Sequence, residues 1–115
     1  GKKVEYMLRH LGQTFSGIIS GVTNFGMFVE LENTVEGMVS LTSMTDDYYD
    51  YDPAAFRLVG KRTNKVYRLG DEVTVKVIRA GVEDRQIDFT LTEIQEQSRA
   101  VEKRLGRTRR STVSR

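Results

Sequence analysis

Phe25 and Phe28, in the run NFGMFVEL (residues 24–31), are the side chains whose type and spacing point most directly to a chemistry. An aromatic face left open on a strand is a platform on which a nucleobase can stack, worth about 1–3 kcal/mol per base. Because successive strand side chains alternate, Met27, Val29 and Leu31 share one side while Phe28 and Glu30 share the other. Phe28 is therefore expected on the wet face, and strict alternation would put Phe25 on the buried side with Met27. Cations that could meet a phosphate backbone follow later in the chain. Lys76 points outward from its strand, and Arg79 and Arg85 flank the last turn.

Other chemistries fare worse. There is no glycine-rich phosphate loop, no nucleophile elbow and no HExxH. Cysteine is absent and His10 is the one histidine, which rules out thiolate sites, disulfides and a His-rich metal cage. His10 is expected near a helix C-terminus, where a partial positive charge is welcome. The cluster DDYYDYD (residues 46–52) offers Asp46, Asp47, Asp50 and Asp52 as hard oxygen ligands, but without EF-hand spacing or its turn glycine. No metal is assigned to it. Tyr48, Tyr49 and Tyr51 lie among acids that would repel phosphates, so packing suits them better than base stacking.

The elements that must hold these residues are mostly strands. TFSGIISGVT (14–23), with Gly17 and Gly21, reads as a bent strand. Residues 25–31 and 37–41 follow, and then DEVTVKVI (71–78) and QIDFTL (86–91), joined by the turn GVEDR. Five bent strands with one long connection fit an all-β, five-stranded antiparallel Greek-key barrel of the OB type. The connection, 42–70, is too long to be structureless. It is expected to hold a short helix around Asp52–Val59, with Pro53 in its first turn, and a hairpin turning at Thr63-Asn64. Residues 1–12 read as a lead-in helix with Val4, Met7, Leu8 and Leu11 on one stripe, stopped at Gly12. The barrel itself then occupies 13–92. Thr92 with Gln95 suggests a capping box opening a weak helix in 93–115, followed by a basic disordered tail.

At 115 residues, 38% hydrophobic and 30% charged, the chain suits one compact domain. No apolar run is long enough to span a bilayer and no signal peptide is visible, so a cytoplasmic monomer away from membranes is expected. The formal charge of +2 conceals an asymmetry. Residues 99–115 hold seven basic residues against Glu102, whereas residues 1–98 hold eleven basic and fifteen acidic. A basic tail, including Arg104, Arg107, Arg109 and Arg110, would add sequence-independent, salt-sensitive affinity for a polyanion.

The segment GIISGVTNFGMFVELENTVEGMVSLTSM (17–44), followed by Gly70-Asp71 before Val73, resembles the S-one RNA-binding domain, whose pattern is FGxFV, then EGLVHIS, then GD. The further runs TDDYYDYD, LVGKRTNKVYRLGD and RQIDFTL, with YMLRHLGQTFSG before them, resemble the C-terminal domain of the bacterial ribonuclease R family. The resemblance implies RNA contacts by Phe25, Phe28 and the third-strand position of Ser40, where many members carry histidine. It also implies contacts from the last turn by Arg85, Gln86 and Asp84, with Lys76 added from strand alternation. The family implied is a magnesium-dependent, processive 3′-to-5′ exoribonuclease whose catalytic and cold-shock-like domains lie elsewhere. This chain would then bind single-stranded RNA without cutting it and need no cofactor of its own. A non-enzymatic RNA module serving translation or transcription is the alternative, and a barrel used for protein contacts is a third.

Overall fold

The computed structural model describes residues 2–106. In chain order the elements are α1 (Lys2–Leu8), β1 (Thr14–Thr23), β2 (Gly26–Leu31), β3 (Glu36–Ser40), a single 3-10 turn at Leu41–Ser43, β4 (Tyr49–Asp52), β5 (Arg57–Gly60), β6 (Val66–Arg68), β7 (Glu72–Ala80), β8 (Ile87–Leu91) and α2 (Thr92–Arg104). Strands β1-β2-β3-β8-β7 close into a barrel, with β7 returning to pair with β1. All pairs are antiparallel except β3 with β8. Closure leaves the barrel no edge to protect. The five barrel strands are those expected from alternation.

The interior follows from that alternation. Ile19, Met27, Val29, Leu31, Val39, Val75, Val77, Ile87, Phe89 and Leu91 are buried and alternate with outward-facing residues, except that Thr90, between Phe89 and Leu91, is also covered. Phe89 fills the barrel because Gly37 faces it from β3; a Cβ there would stand 2.6 Å from Phe89 Cε2. Val4 and Met7 of α1 also join the core. Leu8 and Leu11 do not, because the helix ends at Leu8 and leaves both exposed. Gly12, at φ 84°, turns the chain so that its N–H donates to Val77 O at 2.8 Å.

The insert corrects one expectation. No helix forms around Asp52–Val59: β4 and β5 pair as a hairpin, Asp52 against Arg57, with Pro53 in its turn. The second hairpin is where it was expected, with β5 against β6 and Asn64 at φ 61° in the turn. The three strands form their own small sheet, fastened by Asp47. Its buried carboxylate accepts the N–H groups of Tyr48 (2.6 Å), Arg62 (3.1 Å) and Thr63 (2.8 Å) and the Thr63 hydroxyl (2.7 Å). Burial alone would raise the Asp47 pKa, but these hydrogen bonds outweigh it and hold the carboxyl well below the usual range.

The sheet is tied to α2 as well. The Tyr67 hydroxyl donates to Glu93 Oε1 at 2.5 Å, and Lys65 bridges Asp46 (3.4 Å) and Glu93 (3.8 Å). Burial first, then the Glu93 carboxylate, pushes the Tyr67 hydroxyl far above its ordinary pKa. Helix α2 has no side-chain cap; Thr92 lies inside it and donates instead to Thr74 O at 3.3 Å. The expected capping box is therefore absent. Arg104 lies in the last turn of α2, while Arg107, Arg109 and Arg110 fall outside the described residues.

Candidate nucleic-acid interface

The β1–β2 turn explains why alternation misplaces Phe25. Thr23 pairs with Gly26, so Asn24 and Phe25 form a two-residue loop rather than part of a strand. The Thr23 hydroxyl accepts the Phe25 N–H at 3.2 Å and donates to Gly26 O at 3.1 Å, which fixes the loop. Phe25 is left 56% exposed. Gly26 adopts φ 152°, and a Cβ on it would collide with Val39 O. No other residue lets β2 approach β3 here.

Phe28 faces outward from β2 as expected, half-buried rather than bare. Register places it in a continuous row around the barrel: Gly21 (β1), Phe28 (β2), Met38 (β3), Asp88 (β8) and Arg79 (β7). A second row lies about 7 Å further along the strands, the two-residue repeat. In it Gly26 pairs with Ser40, and Thr90 pairs with Lys76; Ser40 and Thr90 are level because Val39 is paired with Phe89. Phe25 stands at the end of this second row, its carbonyl accepting the Leu41 N–H at 2.9 Å. Ser40 shares a hydrogen bond of 2.8 Å with the Thr42 hydroxyl.

Two residues away on the other side, the face changes sign. Ile18, Glu30 and Glu36 form the third row, and Glu72 flanks Ile18 across β1. Ser20 donates to Glu36 at 2.7 Å and Ser16 to Glu72 at 2.8 Å. A polyanion laid on the aromatic rows is repelled from this acidic one, so charge bounds the track on that side.

Six sequence-derived candidates can now be placed. Phe25, Phe28 and Ser40 lie together on the β2–β3 side of these rows, Lys76 ends the second row on β7, and Arg85 and Gln86 sit in the β7–β8 turn. Arg85 has φ 55°. Neither Lys76 nor Arg85 has an ion-pair or hydrogen-bond partner among the described residues, so both cations are available. Met38 and Asp88 were not singled out from sequence. Met38 was within reach, since it lies two residues from Ser40 and so on the same face.

The carboxylates of DDYYDYD do not converge. Asp46 takes the Tyr49 hydroxyl (2.9 Å) and Lys65, Asp47 the backbone donors above, Asp50 Lys61 (3.7 Å), and Asp52 Arg57 (2.9 Å). Tyr49 is buried and Tyr51 packs partly against the core, as expected for packing residues, while Tyr48 is exposed. His10 lies just past α1, with Nδ1 2.9 Å from Gln13 Oε1 and its ring 4.3 Å from that of Tyr6.

A family model for the S1 RNA binding domain, the S-one domain of the sequence comparison, matches residues 10–92. The chain belongs to the S1 RNA-binding domain family. Among curated relatives, it is 48% identical over 92 residues to ribonuclease R of Vibrio cholerae and 51% identical over 92 residues to that of Aquifex aeolicus. It is 40% identical over 102 residues to ribonuclease R of Escherichia coli. These alignments cover 79–88% of this chain but only 11–13% of the relatives, so the chain spans about an eighth of their length. It is thus homologous to the S1 domain of bacterial ribonuclease R.

Solved structures agree. The apo form of Mycoplasma genitalium RNase R superposes with a TM-score of 0.71 at 31% identity, covering 78% of this chain and 15% of that one. The same enzyme in complex with ribose methylated single-stranded RNA gives 0.72 at 31% identity, covering 76% and 14%. Among the described residues, no helix is long and apolar enough to cross a membrane.

Proposed function

We propose that this chain is the single-stranded RNA-binding S1 domain of a ribonuclease R-type exoribonuclease. The observation that carries this is the placement of Phe25 and Phe28 on two adjacent rows of the barrel's outer surface, with Ser40 in the second row and the uncommitted cations Lys76 and Arg85 further round the barrel, on β7 and in the β7–β8 turn. Bases stack on the phenylalanines and phosphates meet the cations, a combination that holds a strand with little sequence preference. Ser40 supplies a hydroxyl to a phosphate or 2′-hydroxyl where many relatives of this type place histidine. Gln86 adds polar contacts from the turn, and Arg104 with the remaining tail arginines adds salt-sensitive attraction.

In this reading hydrolysis belongs to a separate catalytic domain of the parent protein, with its magnesium, in the cytoplasm. The carboxylates of DDYYDYD are spent on lysines, arginines, the Tyr49 hydroxyl and backbone N–H groups, so they do not fit a shared metal ion. The domain's part is to hold the incoming strand for that catalytic domain, beside cold-shock-like domains of the same chain. Binding of short oligo(A) or oligo(U), followed by fluorescence anisotropy, tests the function. Micromolar affinity that weakens steeply with salt is expected, and labelled RNA should survive incubation with the pure chain and magnesium. Processive trimming by that sample would overturn the non-catalytic assignment.

A further inference from the structure

By charge alone, Arg79 is as good a phosphate ligand as Lys76 or Arg85. Its surroundings separate it from them. Arg79 Nη2 lies 2.9 Å from Asp84 Oδ2, and its Nη1 lies 3.4 Å from Asp88 Oδ2. The same two carboxylates take the donors of Gln86: its backbone N–H reaches Asp84 Oδ1 at 3.2 Å, and its Nε2 reaches Asp88 Oδ1 at 2.8 Å. One guanidinium thus links the middle of the turn to the strand that follows it.

Two backbone features make this possible. The register of β7 against β8 shifts between Val77 and Arg79, which turns Arg79 outward although strict alternation would send it inward with Val77. Gly81 lies directly beneath the contact. A Cβ on it would collide with Asp84 Oδ1 and stand 2.7 Å from Arg79 Nη2. The mutual hydrogen bond holds the Asp84 carboxyl below its ordinary pKa and raises that of Arg79, so the pair stays charged. A phosphate approaching Arg79 meets two carboxylates, and the trio carries a net negative charge. Arg85 sits between the two residues so fastened, Asp84 and Gln86, with its own side chain uncommitted.

We propose that Arg79 is a positioning residue and not a phosphate ligand: by tying Asp84 and Asp88 together it shapes the β7–β8 turn so that Arg85 meets the RNA backbone. This rests on the RNA-binding function proposed above. A clamp depends on the fork of the guanidinium, whereas a phosphate contact depends on charge. Arg79→Lys keeps the charge and loses the fork. Gly81→Ala keeps Arg79 and makes both side chains of the pair shift from their present positions.

The test is anisotropy of labelled oligo(U) across a salt series for the wild type, R79K, R79Q, G81A and R85Q, with amide hydrogen exchange at Gln86 measured without RNA. R79K and G81A are each expected to weaken binding about three- to tenfold through lost preorganisation. Their log K against log[salt] slope should equal that of wild type, and exchange at Gln86 should be faster. R85Q is expected to lower the slope by about 0.7, one phosphate on a single strand. Wild-type binding by R79K and G81A would overturn the clamp while leaving RNA binding intact. So would unchanged exchange at Gln86, or an R79Q slope lowered by one phosphate. A wild-type chain that binds no oligo(U) would overturn both the clamp and the function beneath it.

Discussion

The ring of Phe28 lies over Gly21 on the neighbouring strand, where a Cβ would stand 3.3 Å from Phe28 Cδ2. The glycine gives the aromatic a flat floor on one side, and the ring as a whole stays partly exposed. Phe28→Ala is expected to lower RNA affinity by about 1–3 kcal/mol, at least about fivefold in Kd. The fold should persist, because Phe28 lies outside the barrel core. Gly21→Val should weaken binding too, by lifting the ring off its floor. Anisotropy titration with matched circular dichroism checks both.

Lys76 and Arg85 should each carry about one phosphate. K76Q and R85Q are each expected to reduce the salt slope by about 0.7, and the double variant by about twice that. Unchanged slopes in both single variants would place the backbone contacts elsewhere.

Gly37 makes room for Phe89 inside the barrel, with a would-be Cβ 2.6 Å from the ring and 2.9 Å from Ile87 O. Overpacking of this kind costs about 1–3 kcal/mol. Gly37→Ala should therefore lower Tm by several degrees in a thermal melt. At saturating RNA, binding by the folded variant should be retained.

The insert should be sensitive to acid through Asp47. Its folded pKa is depressed, so its contribution is fully present above the unfolded value of about 3.9 and is lost as pH falls toward the folded value. Below about pH 4 the amides of Thr63 and Arg62 should lose protection before those of the barrel. In Asp47→Asn the same amides should be less protected at neutral pH and respond less to acid. Equal acid sensitivity in the variant would assign the effect to another carboxylate.

How much of this was legible in the residues depended on how local the determinants were. The barrel strands were, because Val73, Val75 and Val77, and Ile87, Phe89 and Leu91, carry the period of two in their own sequence. Phe28 came from the same signal. Phe25 did not, because the Thr23–Gly26 pair makes it a loop residue, and that pairing is set across two strands. The insert misled for a similar reason. DPAAF has the look of a helix start, yet Tyr49–Asp52 and Arg57–Gly60 find each other as strands, and Asp47 anchors them from outside both. Arg79 was visible as a cation flanking the last turn, but its pairing with Asp84 and Asp88 follows from a register shift that alternation cannot see. Ser40 needed only the resemblance, whereas Met38 needed nothing more than counting two residues back from it.

The most direct measurement is a backbone amide shift map during titration with short oligo(U), repeated with Phe28→Ala. Shifts concentrated at Phe25, Phe28, Met38, Ser40 and the 81–86 turn, and largely lost in the variant, are expected if the aromatic rows hold the strand. Shifts confined to residues 99–115, with Phe28→Ala binding as well as wild type, would contradict an RNA site on the barrel face.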